Sequence, residues 1–172
     1  MMNYFELFEI PVSLKPDGGL VKKKYYELSR KYHPDFFSQS SDEEQADALE
    51  KSAQVNKAYK VFSNADETIK YVLQLKGLLQ EEEKYQLSPD FLMEMMELNE
   101  QLMDAKMEGD TEVIAKIQSS INNIQSSLYE LVKNIVEHYQ EGVTSEKELL
   151  QVKDYYFKKK YLSRLTEGMD KQ

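Results

Sequence analysis

Apolar positions recur with helical spacing along most of this chain, most clearly in its second half. Ile114, Ile117, Ile121, Ile124, Leu128, Leu131, Ile135 and Tyr139 are separated by 3, 4, 3, 4, 3, 4 and 4 residues. This spacing predicts an amphipathic helix over 114–139 with a narrow, coiled-coil-like seam. Gly109-Asp110-Thr111 offers a turn before it, with Asp110 or Thr111 as N-cap, and Glu141-Gly142 a glycine stop after it. Ser88-Pro89-Asp90 reads as an N-cap followed by proline in the first turn, opening a helix over about 89–107. Thr144 or Ser145, followed by Glu146 and Glu148, opens another over about 146–166. Three helices joined by short loops predict an antiparallel bundle at about 81–168.

The first half is organised differently. Asn3 to Phe8 can form one short helical turn ended by Pro11. Over 18–32, Val21, Tyr25, Leu28 and Tyr32 share one face. A second long helix is predicted over 42–62, opened by the capping-box pair Ser41 and Glu44. Its apolar face takes Leu49, Ala53, Asn56 or Val55, Tyr59 and Phe62. A shorter helix from Asp66 to Leu75 carries Ile69, Val72 and Leu73, and Glu81-Glu82-Glu83-Lys84 reads as a solvated connection. Strand-like alternation is missing throughout, so the fold class is all-α, with units expected at 1–76 and 77–172.

Composition narrows the chemistry. The chain has 172 residues and no cysteine, so it builds no disulfide, thiol nucleophile, thiolate zinc site or cysteine-ligated cluster of its own. No apolar run approaches a bilayer span, and Met1 to Ile10 has no basic region or cleavage site of a signal peptide. A soluble cytoplasmic protein is expected. The net charge of −9 disfavours bulk electrostatic binding to nucleic acid or to an anionic membrane. That charge is uneven: residues 1–76 hold 11 basic and 12 acidic side chains, whereas 77–172 hold 11 and 19.

Within the nearly neutral half, residues 22–31 carry five cations and one anion. With Val21, Tyr25, Leu28 and Tyr32 turned inward, Lys23, Lys24, Arg30 and Lys31 point largely outward, with Lys22 beside them. Pro34 disfavours helical geometry at His33, placing His33 and Asp35 in an exposed turn next to this basic face. Cations also suit a helix C-terminus, and His-Pro-Asp is loop-forming, so the stretch by itself is open to a purely structural reading. As a hydrolytic pair, His33 and Asp35 would need a nucleophile or metal. Neither a serine elbow nor a metal-spaced second histidine is present, since His138 lies late on the seam helix.

The order Tyr4-Phe5-Glu6-Leu7-Phe8, basic helix, His33-Pro34-Asp35, then Asn56-Lys57-Ala58-Tyr59, resembles a J domain. That resemblance implies an antiparallel helical hairpin with short flanking helices and the HPD tripeptide between its two long helices. The second half has neither the Gly/Phe-rich linker nor the cysteine-rich repeats of a general DnaJ. Instead Asp90-Phe91-Leu92-Met93-Glu94-Met95-Met96-Glu97-Leu98-Asn99-Glu100-Gln101-Leu102 resembles a segment of the HscB family, co-chaperones of iron–sulfur cluster assembly. Asn3 to Pro11 also matches that family, and the cysteine-bearing N-terminal extension of its mitochondrial members is missing, which implies the bacterial type. Phe36 stands where a lysine commonly follows the HPD aspartate, which weakens one possible contact of that loop.

The resemblance implies a protein that is not itself an enzyme, has no cofactor, and activates the ATPase of a DnaK-type chaperone, HscA in this family. His33, Pro34, Asp35, Lys22, Lys23, Lys24, Arg30 and Lys31 would meet that chaperone. It places an IscU-type scaffold on Leu92, Met93, Met96, Glu97, Glu100 and Asp104, with Phe157 reaching in from the last helix. Met96 replaces the usual leucine at similar volume, and Asp104 is one methylene shorter than the glutamate often found there. The residues themselves show two adjoining apolar stripes on this helix: Phe91, Met95, Leu98, Leu102 and Ala105, then Leu92, Met96 and Met103. A short bundle could bury both, or leave one as a methionine-rich docking surface. A generic J protein serving another client remains the nearer alternative, and a His/Asp hydrolase the remote one.

Overall fold

The computed structural model describes residues 2–170. Among these there are seven α-helices, one 3-10 turn and no strand. The chain divides into two compact units, Met1–Lys76 with Tyr139–Val143, and Gly77–His138 with Thr144–Gln172.

In the first unit the helices are α1 (Tyr4–Phe8), α2 (Gly18–Lys31), α3 (Asp42–Phe62) and α4 (Ala65–Leu75), with the 3-10 turn at Pro34–Phe37. Local chemistry sets their ends. The side chains of Asn3, Asp17, Ser41 and Asn64 accept hydrogen bonds from first-turn amides, which otherwise have no partner in the helix. α1 stops at Glu9, which takes a left-handed backbone (φ 54°) two residues ahead of Pro11.

α2 and α3 form the antiparallel hairpin. The ring of Tyr25 stacks on that of Tyr59 at 4.0 Å, and its hydroxyl donates to Asn56 Oδ1 at 3.1 Å. At the other end of the pair the Gln45 amide donates to the carbonyls of Ser38 and Ser40. Phe5, Phe8 and Phe62 pack together at the opposite end, where Tyr4 stacks on Tyr71 and its backbone N–H donates to the Tyr71 hydroxyl. Thr68 is fully buried, and its hydroxyl donates to Val61 and Asn64 carbonyls, closing the corner between α3 and α4.

The buried face of α3 departs from the one the sequence predicts. Leu49 is 63% exposed and Ala53 is exposed, while Ala48, Val55, Ala58 and Phe62 are buried. Val55 and Phe62 keep their predicted places, while Ala48 and Ala58, each one residue away, take the core positions expected of Leu49 and Tyr59. Tyr59 and Asn56 instead face Tyr25 of α2 at a half-exposed edge of the hairpin.

The second unit holds α5 (Pro89–Glu108), α6 (Thr111–Glu137) and α7 (Glu146–Asp170) as an up-down-up bundle. Ser88 caps α5 and Asp110 caps α6, and Gly109, with φ 67°, makes the turn between them. One core cluster joins Phe91, Met95, Leu102 and Ala105 of α5 to Ile117 and Ile121 of α6 and Leu162 of α7.

Further along α6 the seam leaves its predicted positions. Leu131 is 76% exposed, and Val132 and Val136 are buried instead. A straight α-helix drifts about 20° per heptad against a strict seven-residue repeat, so a long uncoiled helix hands its buried face to the neighbouring row. In the run expected as a solvated connection, Glu81, Glu82 and Lys84 are exposed, but Glu83 and, flanking the run, Leu79 and Tyr85 are packed down. Leu79 is buried, Glu83 pairs with Lys153 of α7 at 2.7 Å, and the Tyr85 hydroxyl donates to Asp154 at 2.8 Å. This extended segment lies along α7 as a strap. No helix among the described residues is long and apolar enough to cross a membrane.

Candidate functional site

The first unit offers its chemistry at the turn between α2 and α3. Tyr32 ends α2, and His33 adopts extended backbone because Pro34 follows it. His33 then caps the 3-10 turn: its Nδ1 accepts from the Asp35 backbone N–H at 3.2 Å. With Nδ1 occupied as acceptor, the neutral ring carries its proton on Nε2, which remains a donor for a partner. Asp35 projects its carboxylate, 90% exposed, and the nearest oxygen lies 3.7 Å from His33 Nδ1, too far for a hydrogen bond. Phe36 is also exposed and stands edge-on to the His33 ring. The tripeptide is therefore held by its backbone and by Nδ1, while its carboxylate is free to be recognised.

The basic residues on α2 do not all behave alike. Lys22, Lys23, Arg30 and Lys31 are exposed, and Lys31 lies over the Tyr32 ring at 5.3 Å. Lys24 is a correction to the expected outward face. It is three-quarters covered and sits 3.7 Å from Glu9 and 3.8 Å from Glu27, where it ties α2 to the end of α1. Tyr26, unremarked in the sequence, is exposed between Lys22 and Arg30 at spacings of four residues, on the same side of the helix.

On α5 the structure decides between the two stripes. Phe91, Met95, Leu102 and Ala105 enter the core, whereas Leu92 is 37% exposed and Met93 and Met96 are each 63% exposed. Met103 and Met107 continue this exposed row. Glu97, Glu100 and Asp104 are exposed along its edge. Phe157 of α7 is half-buried, stacks on Tyr85 at 4.6 Å, and lines with Leu92 a cleft of about 610 Å³. The seven residues expected to dock a scaffold thus lie on one surface of one unit. Sequence reasoning missed Tyr85, Lys160 and Arg164, which line the same cleft. Only Tyr85, an aromatic inside a charged run, offered any local signal.

Burial and the Asp154 carboxylate push the Tyr85 hydroxyl up to about 12. Glu83 lies below its ordinary range because Lys153 hydrogen-bonds its charged form. Among the described residues no group of three or more His, Cys, Asp or Glu side chains could hold a metal ion.

A helical hairpin with an exposed His-Pro-Asp corner defines a J domain, and the family model described as DnaJ domain matches residues 3–71. The model described as HSCB C-terminal oligomerisation domain matches residues 87–170. The chain is 30% identical over 155 residues to the Co-chaperone protein HscB homolog of Photobacterium profundum, covering 90% of this chain and 83% of the relative. It is 32% identical over 170 residues to that of Vibrio atlanticus, covering 98% and 95%. Chaperone HscB from Vibrio cholerae superposes with a TM-score of 0.75 at 27% identity, over 98% of this chain and 96% of the other. Human co-chaperone protein HscB superposes at 0.80 and 28% identity, over 99% and 81%. The chain belongs to the HscB co-chaperone family.

Proposed function

We propose that this co-chaperone binds an IscU-type iron–sulfur scaffold, delivers it to a DnaK-type chaperone of the HscA kind, and stimulates that chaperone's ATPase in the cytoplasm. The chain is a binding protein in this reading, and ATP hydrolysis and cluster ligation belong to its partners. The observation that carries it is the exposed row Leu92, Met93 and Met96 beside Glu97, Glu100 and Asp104. A water-soluble helix has no use for such a row in its own core, and unbranched methionines adapt to a partner's surface.

On the other unit, the exposed cations Lys22, Lys23, Arg30 and Lys31 would steer the chain toward an acidic chaperone surface, with Lys24 contributing less. Asp35 would then pair with a chaperone cation, and His33 Nε2 would add a directional hydrogen bond. The deciding experiment measures scaffold affinity with Leu92→Ala, Met93→Ala and Met96→Ala combined. A loss of affinity with unchanged folding is expected, and unchanged affinity would remove the docking half of the reading. Another client in place of the scaffold would show as no binding by the wild type.

A further inference from the structure

The exposed row on α5 has unlike edges. At 100° per residue, Leu92, Met103, Met96 and Met107 follow one another around the helix, and Asp104 and Glu97 lie beyond them on the side away from α7. The α7 side is marked by the Lys106 ammonium, which donates to the Gly168 carbonyl, and by Leu92 itself, which borders the cleft with Phe157, Lys160, Tyr161 and Arg164. Crossing the surface, one meets a cationic cleft, then an apolar row, then an acidic row.

The cations of that cleft stand out against their setting. Residues 77–172 hold 11 basic side chains against 19 acidic ones, yet Lys84, Lys160 and Arg164 all line this cleft and all are exposed. The carboxylates nearby are already engaged. Glu83 pairs with Lys153 at 2.7 Å, and Asp154 takes both Lys158 at 2.8 Å and the Tyr85 hydroxyl. The floor is the stacked pair of Tyr85 and Phe157, an apolar wall that lowers the local dielectric and strengthens a charge contact at its rim.

We infer that this cleft is a carboxylate subsite of the docking surface: an acidic side chain of the scaffold seats against Lys160 and Arg164, with Lys84 at the margin. Arginine can take it with two parallel hydrogen bonds, lysine as a point charge. The subsite rests on the docking reading above and gives it a direction. A segment lying across α5 must present an acidic flank toward α7 and a basic flank toward Glu97 and Asp104, so reversed binding places like charges together at both edges.

The test uses the full chain and an IscU-type scaffold, with affinity measured by calorimetry at low and high salt. Lys160→Glu with Arg164→Glu should weaken binding roughly tenfold at low ionic strength, with the gap to wild type closing as salt is added. Lys160→Gln with Arg164→Gln, which inverts no charge, should give a smaller loss in the same direction and guards against misfolding of the first pair. If both pairs bind like wild type at every salt while Met96→Ala weakens binding, the subsite is wrong and the docking reading stands. If Leu92, Met93 and Met96 together can be cut to alanine without effect, the docking reading itself is wrong.

Discussion

The ring of Tyr25 on α2 lies nearly parallel to that of Tyr59 on α3, with centroids 4.0 Å apart. This pair, with the hydroxyl of Tyr25 donating to Asn56, joins the two hairpin helices that carry the His33 corner between them. Tyr59→Ala should therefore lower unfolding stability by about 1–3 kcal/mol. Tyr25→Phe, which removes one exposed hydrogen bond, should cost no more than about 1 kcal/mol. Urea unfolding of the two variants checks both.

The Asp35 carboxylate makes no hydrogen bond within its own turn, where the cap is made by His33 Nδ1 and the Asp35 backbone N–H. Asp35→Asn should leave stability within about 0.5 kcal/mol of wild type. It should nonetheless abolish stimulation of chaperone ATP turnover, because the neutral amide cannot pair with a cation. Stimulation at the wild-type level would refute the assigned role.

Glu141 sits in the first unit between Lys76 and the Tyr139 hydroxyl, and the hydrogen bond from Lys76, followed by that from Tyr139, holds its carboxyl below the ordinary 4.5. A depressed carboxylate stabilises the fold above its unfolded value and ceases to as pH falls through the folded value. Glu141→Gln should consequently be less stable than wild type at pH 7, with the difference starting to shrink near 4.5 and disappearing only below the depressed folded value. Denaturant midpoints between pH 7 and 3 report it.

Tyr85 has the opposite sign. Its hydroxyl is raised from 10.0 to about 12, so its contribution is whole below 10.0 and is lost as pH climbs toward 12. Comparing wild type with Tyr85→Phe at pH 8 and pH 11 isolates the contribution of this hydroxyl. The stability gap should shrink at the higher pH.

On α6, adjacent residues should respond in contrasting ways. Leu131→Gln removes an exposed side chain and should change stability by less than about 0.5 kcal/mol. Val132→Ala opens the core between α6 and α7 and should cost about 1–3 kcal/mol. Equal effects would contradict the drift of the seam.

The legible features were those whose causes lie within a few residues. Ser41, Ser88 and Asp110 cap helices because their side chains reach amides two or three positions on, and Gly109 turns the chain because it tolerates positive φ. Pro34 forces His33 out of helical geometry for a similarly local reason. The faces of α3 and α6 were harder to read. Leu49 and Leu131 fit their periodic patterns as well as any core residue, yet both are exposed.

Helix content, the positions of the caps, the HPD corner and the uneven charge all follow from neighbours along the chain, because hydrogen bonds of caps and turns are short-range. Packing settles what depends on residues far apart. It turns Lys24 toward Glu9, draws Glu83 and Tyr85 onto α7, and sinks Met95 while leaving Met96 in water. Two methionines side by side on one helix have the same propensity and the same hydrophobicity. Only the places of α6 and α7 beside α5 make one a core residue and leave the other exposed.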